Sequence, residues 1–243
     1  MPTLKDQVED AVSDVAKYWI KTTCSTSSTD VPDPDDMGYS DAKVIQATYL
    51  YSDLRDSSGL LRTAESPEEA ASVMSAFLKV AVRIVRAGDG HIRSFDGDRV
   101  MGVFVGPRRA TRAVQAAMKI KYATVELLNP EVQNSCRALR EADWTVRAMT
   151  GVASGEALLV RAGIRNNNDL LSVGAVANLA AKLSDVRDAS PGHDIAIGAG
   201  TYGSLEDIAI MSAGKNMWTG AYSIPMGGRS YEYYTTSYRW AAL

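Results

Sequence analysis

The stretch from Val44 to Val105 constrains the fold most, because it holds a strand, a capped helix and a hairpin in immediate succession. Val44 to Leu54 (VIQATYLYSDL) is rich in β-branched and aromatic residues and ends in the polar cluster RDSSG, the punctuation of a strand entering a loop. Ser66-Pro67-Glu68-Glu69 supplies an N-cap, a first-turn proline and two acidic residues. A helix therefore opens there, carries Val73, Phe77, Val80 and Ile84 on its apolar positions, and stops at Gly88. Two apolar runs follow, around His91 to Phe95 and Val100 to Val105, separated by Asp96-Gly97-Asp98, whose Asp-Gly step signals a hairpin. Antiparallel hairpins between crossover helices make one antiparallel-rich sheet covered by helices the economical architecture.

The rest of the chain extends the theme. A helix is expected from Arg108 to near Leu128, ending before Asn129-Pro130. Val146 to Ala153 and Ala157 to Val160 read as strands around Ser154-Gly155-Glu156. A helix begins near Gly174 with Val176, Leu179, Ala180 and Leu183, and short strands near Ile195 to Ile197 and Tyr231 to Thr235 close the chain. The fold class is α+β, a two-layer sandwich of sheet and helices. Ahead of it, Val8, Val12, Val15, Trp19 and Ile20 recur at helical spacing between Leu4 and Lys21, marking a docking helix. Thr22 to Gly38 is polar, acidic and interrupted by Pro32 and Pro34, and reads as a linker. The expected division is an N-terminal helix and linker at 1–38 and a main domain at 39–243.

Composition narrows the function classes. With 243 residues, 46% hydrophobic and 23% charged, the chain can bury a core and is too balanced to be disordered. A net charge of −3 gives no support to a nucleic-acid partner. No apolar run is long enough to span a membrane and no signal pattern opens the chain, so a soluble, cytoplasmic protein without a membrane partner is expected. Two cysteines, Cys24 and Cys136, and two histidines, His91 and His193, remove disulfide scaffolds and zinc fingers, so any metal is held mainly by oxygen.

Two aspartates then matter. Asp53 lies where an apolar strand ends and Asp98 at the tip of the hairpin; if the strands are neighbours, both carboxylates converge at one edge. Such a pair suits Mg²⁺ or Mn²⁺, which accept carboxylates together with substrate phosphates. Asp56 and Asp96 compete for the same role. The small-residue loop after Asp53, with Ser57 and Ser58 leading into a helical stretch, offers backbone N–H groups to phosphate oxygens. Further on, Asn178 and Lys182 are four apart and share one helix face.

Together these elements resemble the class III nucleotidyl cyclases. YSDLRDSS at Tyr51 to Ser58, FDGDRVMGVF at Phe95 to Phe104, TGVASGEALL at Thr150 to Leu159 and GAVANLAAKL at Gly174 to Leu183 match that family's motifs in order. The resemblance implies a ferredoxin-like cyclase domain and two divalent ions, Mn²⁺ or Mg²⁺, held by Asp53, Asp98 and the backbone carbonyl of Leu54. It also implies attack of a ribose 3′-hydroxyl on the α-phosphorus of a nucleoside triphosphate, releasing pyrophosphate. Asn178 would orient the ribose, and Lys182 stands where the family has arginine, keeping the charge without the bidentate fork. Arg229 falls near the position of a terminal phosphate-binding lysine. The family's sites are shared, so a head-to-tail homodimer with two composite sites is implied.

The base-reading positions depart from both purine codes. Ser94 stands four before Asp98, where the family usually has lysine or glutamate. The second reader is Leu171, or Ser172 if the register slips by one. Tyr51 faces the same side as Asp53, where its ring would shrink the space for a purine, and Tyr49 shares that face. The combination is similar to the bacterial antiphage pyrimidine cyclases of the Pycsar system, which implies UTP converted to cyclic UMP as a second messenger. The alternatives are a cytidylate cyclase, an adenylyl cyclase, and a non-catalytic nucleotide-binding cyclase-homology domain.

Overall fold

Fourteen residues of alternating facing, Asp41 to Leu54, form the strand around which the protein is built. The computed structural model describes residues 2–17, 21–24, 30–164, 166–187 and 190–241. Its first half runs α1 (Leu4–Lys17), β1 (Lys21–Cys24), β2 (Asp41–Leu54), α2 (Ser57–Thr63), α3 (Pro67–Ala87), β3 (His91–Asp96), β4 (Arg99–Val105) and α4 (Arg109–Tyr122). A π-helical turn at Ala123–Leu128 joins α4 to α5 (Asn129–Ser135), followed by α6 (Arg137–Glu141), β5 (Ala148–Ile164), β6 (Asn167–Val173) and α7 (Ala175–Leu183). The chain continues through β7 (Ile195–Gly198), α8 (Ala199–Tyr202), α9 (Asp207–Ile210), β8 (Met211–Ser212), β9 (Lys215–Asn216), β10 (Thr219–Met226) and β11 (Arg229–Thr236).

The main sheet has the order β10-β11-β7-β5-β2-β4-β3, with β1 paired to the start of β2 and β6 to the far half of β5. Most pairings are antiparallel; β1 with β2 and β5 with β7 are parallel. Because side chains alternate along a strand, β2 divides its residues between two cores. Leu50 and Leu54 join Val100, Phe104 and Val152 against α3 and α4. Ile45, Ala47 and Tyr49 join Met101, Val103 and Met149 against Val176, Leu179 and Leu183 of α7. The expected two-layer sandwich thus gains a third layer: α7 covers the face opposite α3 and α4. It lies so close to β5 that a Cβ on Gly151 would fall 2.2 Å from the Ala180 carbonyl oxygen.

The capped helix forms as its sequence dictates. Ser66 accepts from the Glu69 N–H at 3.2 Å, Pro67 occupies the first turn, and Gly88 ends α3. The hairpin is shifted by one residue from the Asp-Gly expectation: Asp96 pairs with Arg99, so Gly97 and Asp98 are the turn. Gly97 takes φ 61°, as a II′-type turn requires of its first central residue.

Other expectations change. The two strands read around Ser154-Gly155-Glu156 are one 17-residue strand, β5. Polar Ser154 and Glu156 do not break it because β2 offers matching partners, Thr48 at 2.8 Å and Gln46 at 3.2 Å. The segment read as a linker supplies β1, and Arg161 anchors its later part through Met37 O and Asp35. The docking helix ends at Lys17, with Trp19 and Ile20 outside the described residues. Among the described residues, no helix is long and apolar enough to cross a membrane.

Candidate active site

Register places the two aspartates together. Asp53 sits opposite Arg99 on one side and Met149 on the other, and Asp98 immediately precedes Arg99 in the hairpin turn. Burial and the neighbouring Asp98 charge push the Asp53 carboxyl above its usual range, while Arg99 and Arg55 pull it back. Asp98 Oδ2 is buried with no hydrogen-bond partner. An unpartnered buried carboxylate oxygen beside a second carboxylate is a donor set of the hard-oxygen kind that Mg²⁺ and Mn²⁺ accept. Among the described residues no group of three or more His, Cys, Asp or Glu gathers, so an ion held there would need further ligands from backbone or substrate oxygens. Leu54 points its buried side chain at the core beneath α3 and α4, which leaves its carbonyl as the group it can offer.

The competing aspartates are engaged elsewhere. Asp56 caps α2, accepting from the Gly59 N–H at 3.1 Å, and Asp96 takes Arg99 at 2.6 Å. Ser57 and Ser58 form the first turn of α2 shortly after β2, with the Gly59 N–H already given to Asp56.

A second row crosses the sheet beside the aspartates. Ser94 pairs with Met101, and Met101 pairs with Tyr51. A bulge at Arg93 makes this alignment, since the β3 register shifts between Ile92 and Ser94. Arg99, a residue that no sequence motif singles out, lies over the Tyr51 ring at 5.6 Å, and its Nε is buried without a partner. Tyr51 is half-buried; Tyr49 is wholly core, its hydroxyl donating to Ser172 Oγ at 2.9 Å. That bond places Ser172 on the inward side of β6, whereas Leu171 is 52% exposed on the other side.

Asn178 and Lys182 lie on the exposed face of α7, and their side chains make no hydrogen bond or ion pair with another described residue. Val176, Leu179, Ala180 and Leu183 hold the opposite side of the helix in the core. Arg229 is exposed where β11 leaves its hairpin turn, paired with Met226. A cavity of about 730 Å³ between α7 and the β10–β11 hairpin is lined by Val176, Leu179, Tyr222, Tyr231 and others, but by none of the predicted site residues. One chain therefore carries the aspartate pair at the β2 end and β3–β4 turn, and Asn178 and Lys182 on the exposed face of α7.

An arginine-lined cleft that no sequence motif signals adjoins the strand end bearing Asp53. Arg55, Arg147 and Arg187 line a cavity of about 270 Å³ together with Met149, the residue opposite Asp53. Asp185 pairs with Arg187 at 3.0 Å and Arg55 at 3.6 Å. Burial lowers the Arg55 pKa first and the Arg187 charge second; Asp56 and Asp194 line the same cleft, and Asp194 meets Arg147 at 3.4 Å. Each arginine stands alone in sequence, and the fold alone gathers them.

No protein-family model matches the chain. It is 36% identical over 181 residues to a uridylate cyclase of Rhodovulum sp. (strain MB263), covering 74% of this chain and 75% of that one. To a uridylate cyclase of Burkholderia cepacia it is 32% identical over 238 residues, 95% and 99% of the two chains. Among solved structures, the guanylyl cyclase Cya2 superposes with a TM-score of 0.66 at 20% identity, over 82% of this chain and 95% of that one. With these relatives, the chain is a nucleotidyl cyclase that belongs to the uridylate cyclases, and its fold is that of the class III cyclases.

Proposed function

We propose that the chain converts UTP to 3′,5′-cyclic UMP and pyrophosphate, as a homodimer whose two sites each combine the half-sites of both copies. The unpartnered Asp98 oxygen beside Asp53 carries this reading, because it marks a place built for a divalent ion. Asp53, Asp98 and the Leu54 carbonyl would hold Mg²⁺ or Mn²⁺. Bound there, such ions neutralise triphosphate charge and lower the pKa of the ribose 3′-hydroxyl.

The chain's own groups do the positioning. Ser57 and Ser58, with the arginines of the cleft, receive the triphosphate oxygens, and Arg229 adds charge from the hairpin of the other copy. Asn178 orients the ribose, and Lys182 faces the α-phosphate as charge builds on its oxygens. The bond from O3′ to the α-phosphorus forms as the bond to the pyrophosphate oxygen breaks, and the hydroxyl proton leaves to solvent. No covalent nucleophile takes part. Tyr51, backed by Arg99, walls the base pocket at a width suited to a pyrimidine, with Ser94 and Ser172 as polar groups nearby. In this reading the product is a second messenger of antiphage defence in the bacterial cytoplasm.

The test incubates the protein with each nucleoside triphosphate and Mn²⁺ and identifies products by mass. Cyclic UMP in excess supports the assignment; dominant cyclic CMP or cyclic AMP replaces the base, and no product removes the catalytic reading. Mixing Asp53→Ala with Asn178→Ala chains tests the shared site. Random pairing restores one intact site in half of the dimers, about a quarter of the original activity.

A further inference from the structure

Two uncovered apolar surfaces of this chain are complementary. The first is α1, a helix of 14 residues with Leu4, Val8 and Val12 on one side, 77%, 53% and 66% exposed. An isolated helix of this length is marginal in water, so a stripe left open on it needs a cover. The second is a groove of about 650 Å³ along the outer side of α3, floored by Ala71, Met74, Leu78 and Val82 and closed by Phe95, itself 54% exposed.

Charge and length match as well. Lys79, Arg83 and Arg86 line the groove, and among the described residues no carboxylate forms an ion pair with any of them. Three unpaired cations in one place stand out in a chain whose net charge is −3. The α1 segment carries Asp6, Glu9, Asp10 and Asp14 against Lys5 and Lys17, a balance of −2. At 1.5 Å per residue, α1 is about 21 Å long, and the groove from Ala71 to Arg86 is about 22 Å. Since α1 leaves its own stripe exposed and the groove of the same chain uncovered, the occupant comes from another copy.

We infer that α1 of one chain docks in the groove between α3 and Phe95 of a second copy, apolar stripe inward and acidic flanks against Lys79, Arg83 and Arg86. Exchanged both ways, the contact is self-complementary and closes on itself. It uses the sheet face opposite α7, leaves Asn178 and Lys182 clear, and stands whether or not the catalytic reading does.

Disulfide capture between separate chains tests it. Val8→Cys protein is mixed with Leu78→Cys protein, both carrying Cys24→Ser and Cys136→Ser, and oxidised. The expected result is an interchain disulfide at least about tenfold more abundant than with Ser13→Cys, on the polar side of α1, in place of Val8→Cys. An equal yield from both, no interchain product, or a disulfide formed only within a double variant carrying Val8→Cys and Leu78→Cys in one chain overturns the proposal. Sedimentation gives an independent readout. Val8→Asp combined with Val12→Asp should raise the concentration needed for assembly at least about tenfold, as burying an aspartate pair in an apolar groove demands. Unchanged sedimentation also overturns it.

Discussion

Lys121 and Asp98 are both partly or wholly buried charged residues, and the fold treats them in opposite ways. The Lys121 ammonium, 7% exposed, donates to the Gly192 carbonyl, to the Ser237 carbonyl at 2.9 Å, and meets Asp194 at 3.3 Å. Every direction it can bond in is used, and it ties α4 to the approach of β7 and to the C-terminal segment. The Asp98 oxygen has no partner, and Asp53, whose carboxyl feels the Asp98 charge, carries the same sign. A satisfied buried charge marks structure; an unsatisfied carboxylate oxygen beside a second carboxylate is where a bound cation would fit.

Substitutions can separate the two roles. Asp53→Ala and Asp98→Ala should each lower turnover by at least about a hundredfold, because each removes transition-state charge stabilisation, with thermal stability retained. Near-normal turnover in either variant would break the contrast. Lys121→Met should do the reverse, destabilising the protein by about 2 kcal/mol in urea unfolding because it strands the Gly192 and Ser237 carbonyls and leaves Asp194 only Arg147, with the rate per folded molecule unchanged.

Smaller effects sharpen it. Mn²⁺ should raise the melting temperature of the unmodified protein by a few degrees, and that of Asp53→Ala or Asp98→Ala hardly at all. For Asp53 the raised carboxyl pKa means the folded state holds its proton more tightly, so ionisation costs stability at neutral pH. Asp53→Asn should therefore be more stable than the parent above the raised value, with the gain fading as pH falls below the ordinary 3.8; a gain that grows in acid has the wrong sign. The smallest change is in selectivity. Tyr51→Ala should raise purine relative to pyrimidine cyclisation by about tenfold, measured as a product ratio in mixed substrates.

Much of the fold was legible where residues signal locally. The Ser66 cap, the Gly88 stop, the hairpin and the α7 packing positions all follow from neighbouring residues. β6 was not legible because NNDLLSV is largely polar and exposed, and its pairing with β5 is long-range. β10 contains Pro225 and Gly220, which argue against a strand and are tolerated here because β10 is a sheet edge. Asp53, Asp98, Asn178 and Lys182 were accessible through ordered motifs, whereas Arg55, Arg99, Arg147 and Arg187 became a group only through tertiary approach. Leu171 against Ser172 was undecidable by counting, since one residue of register exchanges the two faces.

The extra residue at Arg93 acts as a built-in change of phase. Before it, Ile92 leans toward the α3 layer; after it, Phe95 does, and Ser94 comes into line with Met101 and Tyr51. A conventional strand of the same composition would turn Ser94 away from Tyr51 and toward the helix. Losing or gaining one codon here would exchange which side chains face Tyr51 while leaving every one of them in the chain, so the pocket proposed for the base could be reshaped by length as well as by identity.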